Sequence, residues 1–154
     1  MSVTDAGGQQ MVPSEDLCLT FQALAPDAAE VFLLLVRIIV PHLQPRLAVA
    51  QVATALCLDS KLVTDLAWRT QVLDGIASLE REAMDRCGTG FAAASASERI
   101  ALVRGQEDTL FFQALIHNVK YDFYNRHIVW SVLGYPDLGN QGGYLDRGFD
   151  VLNV

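Results

Sequence analysis

Apolar residues recur at intervals of three and four between two prolines in the first third of the chain. The stretch from 26 to 41 carries Val31, Leu34, Leu35, Ile38 and Ile39 at this spacing. Such spacing places the side chains on one face of an α-helix. A proline is tolerated in the first turn, and an acidic residue there suits the helix dipole. The pattern predicts an amphipathic helix that begins at Pro26 and ends before Pro41.

Four more segments of helical pattern follow the first helix, with a further short one near 130. A second, very apolar helix is predicted over 47–57, and Asp59 with Ser60 predicts the start of a third over 61–86. The inner face of the third helix is predicted to comprise Leu62, Leu66, Leu73, Ile76 and Leu79. Gly88 is predicted to end it.

The remaining helices are shorter. Ser95 and Glu98 have the spacing of a capping box, in which each side chain satisfies a free amide of the other residue, and this helix is predicted to stop at Gly105. A fifth helix is predicted to start near Glu107, with Leu110, Phe111, Ala114, Leu115 and Val119 on its apolar face. A last helix is predicted over 127–133.

No stretch of strict polar and apolar alternation bounded by hairpin turns is found, so the prediction is an all-α fold with five to six helices. A length of 154 residues fits one domain. We expect a helical domain over 21–134, a flexible arm over 1–20, and an irregular, extended glycine- and aromatic-rich tail over 135–154.

Charge and composition exclude some partners. The formal net charge is −7, and the eleven Lys and Arg residues are scattered, which argues against nucleic acid and anionic membranes. The most apolar run, 31–40, is shorter than the roughly 20 residues of a membrane span, so no span is predicted. Apolar residues make up 51% of the chain, which suggests that part of the surface belongs to an interface.

The beginning of the sequence and its cysteines bear on location. Residues 1–17 show no basic start followed by an apolar core and no twin arginine. Cys18, Cys57 and Cys87 are odd in number and far apart, which suits reduced thiols. We expect a cytoplasmic location, or a periplasmic one if an export signal was removed or is supplied by a partner.

Residue patterns for catalysis, metal binding or phosphate binding are weak. His42, His117 and His127 are far apart and lack the spacing of helical metal ligands. Charged residues over 80–86 are read as a solvated helix face with ion pairs. The glycines of 139–143 match neither a dinucleotide loop, a P-loop nor a calcium loop. No catalytic, cofactor-binding or metal-binding residue is therefore assigned.

The end of the chain differs from the rest. Nine of the thirteen aromatic residues follow residue 110, and five glycines fall within 133–150. Tyrosine and tryptophan are frequent interface anchors, and glycine allows a close approach of the backbone to another surface. The tail is predicted to lie on a partner, or on the surface of its own domain.

The run over 124–150 resembles the C-terminal signature of the gluconate 2-dehydrogenase subunit 3 family, and 25–41 is similar to its opening helix. The matching residues are Tyr124, Trp130, Leu133, Gly134, Tyr135, Pro136, Gly142, Gly143, Tyr144, Arg147, Gly148 and Phe149. Between these two segments the likeness extends only to helical character.

The resemblance implies a small, non-catalytic companion of a large FAD-dependent sugar, glycoside or polyol dehydrogenase of the glucose-methanol-choline type. The FAD would then belong to the partner subunit, and a cytochrome or iron–sulfur protein would be a further, electron-accepting partner in some assemblies. Residues expected to contact the large subunit are Tyr124, Trp130, Tyr135, Pro136, Gly142, Gly143, Tyr144, Arg147 and Phe149. Two alternatives stay open: a self-contained small enzyme using His117, Tyr121 or His127, and a helical adaptor unrelated to redox chemistry.

Overall fold

The computed structural model describes residues 21–42 and 44–134, and this part of the chain contains six helices and no strand. The all-α prediction is confirmed. The predicted arm over 1–20 and tail over 135–154 lie outside the described residues. The helices are α1 (Pro26–Ile39), α2 (Pro45–Thr64), α3 (Leu66–Cys87), α4 (Ala96–Arg104), α5 (Leu110–Tyr124) and α6 (His127–Leu133).

Helix α2 is the centre of the core. It packs against α1, α3, α5 and α6, whereas α4 packs mainly on α3. The largest fully buried side chains come from several helices and from the α3–α4 loop, and include Phe32, Phe91, Phe123, Leu35, Leu58 and Leu115. Burying one such side chain contributes about 1.5–3 kcal/mol, so the apolar stripes that predicted the helices also hold them together.

Helix α1 buries a wider face than its predicted stripe. Val31 and Leu35 are buried, and the other three predicted residues are partly buried. Phe32 and Val36 are buried as well, because α1 is in contact with three helices, α2, α3 and α5, and a single neighbour would cover only one face.

The predicted position of the break between the second and third helices is wrong. Helix α2 continues through Asp59 and ends at Thr64. Asp59 is buried, and its carboxylate accepts hydrogen bonds from the backbone N–H groups of Gln22 (2.5 Å), Ala23 (3.2 Å) and Leu24 (2.9 Å). This carboxylate therefore fixes the segment before α1 and starts no helix. The cap of α3 is Asp65, which accepts from the backbone N–H of Trp68 at 3.0 Å.

The shift of this boundary changes which residues face inward. Leu66 is 65% exposed and Leu73 is also exposed, so the prediction that both belong to the inner face of the helix is wrong. The residues of α3 that are buried are Val72, Gly75, Ile76, Leu79 and Ala83. Gly75 allows α3 and α5 to approach closely, because a Cβ atom at this position would lie 2.3 Å from the ring of Phe111.

Helix α5 begins later than predicted. Thr109 caps it by accepting from the backbone N–H of Phe112 at 3.2 Å. Leu110 consequently points outward and is 80% exposed, which corrects its predicted core position, and Ala114 is only partly buried. The predicted Phe111, Leu115 and Val119 are buried.

Short-range end signals are confirmed. Gly88 and Gly134 end α3 and α6 in the left-handed conformation, with φ of 72° and 81°. Ser95 and Glu98 form the predicted capping box, and the hydrogen bond from the Ser95 amide holds the pKa of Glu98 below its usual value. The predicted ion pairing over 80–86 is present as Arg86 to Glu82 at 3.0 Å.

Only α2, among the helices described, is long and apolar enough to cross a membrane by length and composition. Core helices of soluble proteins share these properties, and α2 has contacts with four other helices. That the chain has no membrane span stays a prediction.

Candidate functional site

Several exposed apolar side chains belong to the last turns of α5 and to α6. Tyr121, Tyr124, Ile128 and Leu133 are exposed, and Trp130 is partly buried. We call these five residues the terminal patch. It belongs to the part of the chain that leads into the tail, and exposed apolar and aromatic side chains are candidates for an interaction surface.

Contacts with the core hold the centre of the terminal patch. The ring of Tyr124 meets the buried ring of Phe123 edge-on, with 5.1 Å between centroids, and His42 stacks on Phe123 at 5.2 Å. The indole N–H of Trp130 donates to the carbonyl oxygen of Tyr124, and the His127 ring lies 5.2 Å from that of Trp130. Tyr124 and Trp130 are therefore neighbours on a supported surface.

Arg126 joins α6 to the central helix. Its Nε donates to the Thr54 hydroxyl at 3.1 Å, and its Nη2 donates to the Ala53 carbonyl at 3.0 Å. Both nitrogens also donate to Oδ1 of Asp122, at 3.0 and 2.7 Å. The rigid fork of donors on a guanidinium suits such an arrangement. Since Arg126 directly precedes α6, these bonds set the direction in which α6 leaves α5.

Asp122 is the acceptor on which this network depends. Burial raises its pKa, but hydrogen bonds from Cys57, Thr54 and Arg126, with the Arg126 charge, more than offset this, so that the pKa lies below its usual value. Burial raises the pKa of the Cys57 thiol, and the bond to Asp122 raises it further. At neutral pH the network thus contains a carboxylate, a guanidinium and a neutral thiol.

Two of the nine residues predicted to contact a partner lie in the described part of the chain, and the structure brings these two, Tyr124 and Trp130, together. The remaining seven, Tyr135, Pro136, Gly142, Gly143, Tyr144, Arg147 and Phe149, lie outside the described residues. Arg126 and Asp122 are not among the predicted site residues, although their spacing of four residues on a helical segment is a signal for an ion pair.

Each histidine contacts an aromatic ring. His42 stacks on Phe123, His117 stacks on Tyr121 with 6.4 Å between centroids, and His127 lies against Trp130. Within 21–42 and 44–134, no three His, Cys, Asp or Glu side chains are grouped as a metal site would require.

Surface clefts lie between helices in the described part of the chain, and two of them border α1. One, of about 500 Å³, lies between α1, α3 and the loop near Gly90, and the carboxylates of Asp27, Glu30 and Glu80 line it. The other, of about 230 Å³, lies between α1, α4 and α5. No histidine lines either of these two clefts.

Comparison with protein-family models, curated proteins and solved structures gives no match. The resemblance to the gluconate 2-dehydrogenase subunit 3 family therefore stays a prediction that depends on the residues of 25–41 and 124–150.

Proposed function

We propose that this chain is a non-catalytic accessory subunit that stabilises a large FAD-dependent sugar, glycoside or polyol dehydrogenase of the glucose-methanol-choline type. The observation that carries the proposal is the terminal patch. It exposes aromatic and aliphatic side chains where the run resembling the family signature begins, at Tyr124.

The composition of the terminal patch supports a protein partner. Tyrosine and tryptophan dominate the energetics of many interfaces because they combine a large apolar face with a polar tip. Tyr124 is 43% exposed, although its ring touches the buried Phe123. A partner would therefore cover a side chain that the fold already holds in place.

The hydrogen bonds of Arg126, which hold the start of α6, also favour binding at the terminal patch. Association costs free energy when side chains and loops must be ordered. Because Arg126 ties the start of α6 to Thr54 and Ala53 of α2, the described part of the surface is formed before any partner arrives. Less of the binding free energy is then spent on ordering.

The oxidation of the sugar or polyol would take place on the other polypeptide. FAD and the groups that accept hydride would belong to the large subunit, with a cytochrome or iron–sulfur protein as the electron acceptor in some assemblies. This chain would contribute stability, and the compartment of the assembly would follow from the partner.

Co-expression tests this function. The chain, tagged at its amino terminus, is produced with a large FAD-dependent dehydrogenase of the glucose-methanol-choline type from the same organism, and the purified material is examined by size-exclusion chromatography with detection of flavin absorbance. We expect one complex that contains flavin, and a longer half-life of dehydrogenase activity than for the large subunit alone. A soluble monomeric chain that retains no flavoprotein would refute the proposal.

Deletion of residues 135–154 tests the contribution of the tail. We expect association to be lost while the far-UV circular dichroism signal of the helices is kept. Loss of helix content would contradict this and would mean that the tail belongs to the core.

A further inference from the structure

The cleft between α1, α4 and α5 exists because α4 packs mainly on α3. Ile38 and Ile39 line it from α1, and Phe112, Ile116 and Lys120 line it from α5. These last three residues are spaced by four and thus follow one face of the helix. The cleft is a groove between neighbouring helices with a volume of about 230 Å³.

The floor of the cleft is apolar. Helix α4 contributes Ile100 and Val103, and Ile100 is 44% exposed. Ile38, Ile39 and Ile116 are only partly buried. An aliphatic chain placed here would remove several isoleucine side chains from water, at about 25 cal/mol for each Å² of apolar surface buried.

The charge on the rim of the cleft is opposite to that of the whole chain. Arg104 and Lys120 line the cleft, and Glu107 is the carboxylate beside them. Within the described part of the chain, neither cation has an ion pair within 4.0 Å. The rim therefore has a net positive charge, although the chain as a whole has a net charge of −7. The 500 Å³ cleft, by contrast, is lined by carboxylates and is negative like the whole chain.

We infer that this cleft binds a small amphipathic anion, with an aliphatic chain on the isoleucine floor and a carboxylate head beside Arg104 and Lys120. A volume of 230 Å³ holds about seven or eight groups of the size of water, at roughly 30 Å³ each. These groups correspond to the carbon atoms of a chain of about six to eight carbons, whose carboxylate oxygens would lie outside the cleft at the rim. None of the terminal-patch residues lines this cleft.

Calorimetric titration of the full-length chain with sodium octanoate tests the inference, with octylammonium as a probe of the same chain length and opposite charge. We expect octanoate to bind at least about tenfold more tightly than octylammonium. Raising the salt concentration should weaken octanoate binding, because the cations are at the surface. Equal binding of the two probes, or no octanoate binding at millimolar concentration, would overturn the inference.

Matched variants locate the site. Arg104→Gln combined with Lys120→Gln should weaken octanoate binding about tenfold, and Ile100→Ser should weaken both probes. Arg81→Gln removes an exposed cation of α3 that does not line the cleft, and it should leave binding unchanged. Circular dichroism checks that each variant is folded. Unchanged binding in the double variant would place the ligand elsewhere and overturn the assignment.

Discussion

The α2–α3 junction and the α5–α6 junction are both short, and both expose large apolar side chains. Val63 and Leu66 are exposed at the first junction, and Tyr121 and Tyr124 at the second. The two junctions differ in the hydrogen bonds that hold them in place. Asp65 caps α3 through one exposed hydrogen bond to Trp68, three residues along the chain. Arg126 binds Ala53 and Thr54, more than seventy residues away.

The difference separates two roles of hydrogen bonds at helix ends. A bond within the first turn determines where a helix begins, since it satisfies an amide that would otherwise have no partner. A bond to a distant helix also determines the direction of the next element. For this reason we expect only the α5–α6 junction to present a surface that is preorganised for a partner.

The largest expected effect comes from Arg126→Ala. The change removes the Arg126 donors, so that Asp122 keeps only its hydrogen bonds from Cys57 and Thr54 and the Ala53 carbonyl loses its side-chain donor. We expect the free energy of unfolding to fall by about 2–3 kcal/mol, less than the roughly 3–5 kcal/mol of a fully buried pair, because the Arg126 side chain is 27% exposed. Urea denaturation measures this change. Arg126→Lys keeps the charge but not the fork of donors and should lie in between; a loss of about 1 kcal/mol or less for the alanine variant, no larger than that expected for a lost N-cap, would make the two junctions equivalent.

Tyr124→Ala tests the binding side of the comparison. The hydrogen bond from Trp130 reaches the backbone carbonyl of Tyr124, so truncation of the side chain keeps this internal contact. We expect binding to the flavoprotein to weaken by about 2 kcal/mol, roughly thirtyfold in Kd.

Leu66→Ala is the control for that binding measurement, because it truncates an exposed, large apolar side chain at the other junction. It should leave Kd unchanged in the same calorimetric or interferometric assay. Equal weakening by both variants would contradict a partner surface at the α5–α6 end.

Acid should act on the α5–α6 junction through Asp122. The pKa of this carboxyl is lowered in the folded protein, so its contribution to stability is complete above the unfolded value of about 3.9 and is lost as the pH falls through the folded pKa. Asp122→Asn removes this dependence. The difference in unfolding free energy between pH 7 and pH 3 should therefore be smaller for the variant, as measured by urea denaturation. Parallel pH profiles for the two proteins would contradict the prediction.

Asp65→Ala has the smallest expected effect. Loss of an N-cap costs about 1 kcal/mol, and no long-range contact of Asp65 is broken. The midpoint of thermal unfolding should fall by a few degrees, while binding to the flavoprotein is unchanged. A loss as large as that of Arg126→Ala would remove the distinction between a local cap and a long-range anchor.

The helices could be predicted from sequence wherever their signals are local. Apolar spacing, the left-handed glycines at 88 and 134 and the Ser95–Glu98 capping box act within a few residues, and these predictions are correct. Asp59 and Asp65 are both suitable caps by residue type. Which of them starts a helix depends on the burial of Asp59 beneath residues 22–24, and no local pattern shows that.

The errors in the core have the same origin. Leu66 and Leu110 are assigned to the interior by their spacing, but each is the first residue of its helix and is exposed, whereas Leu115, further along the predicted face of α5, is buried. At the candidate site, Tyr124 and Trp130 were predicted from the resemblance. The Arg126 network was not, because its bonds to α2 connect residues that are distant in sequence.

The carboxylate of Asp59 has a consequence for solvent exchange. Gln22, Ala23 and Leu24 belong to no helix, yet each amide is bonded to this one side chain. Deuterium should therefore enter these three positions slowly, as in the interior of a helix, and Asp59→Asn should speed its entry there before it does so in α1. The slow hydrogen exchange of these non-helical amides would thus depend on a side chain 35 positions downstream of Leu24.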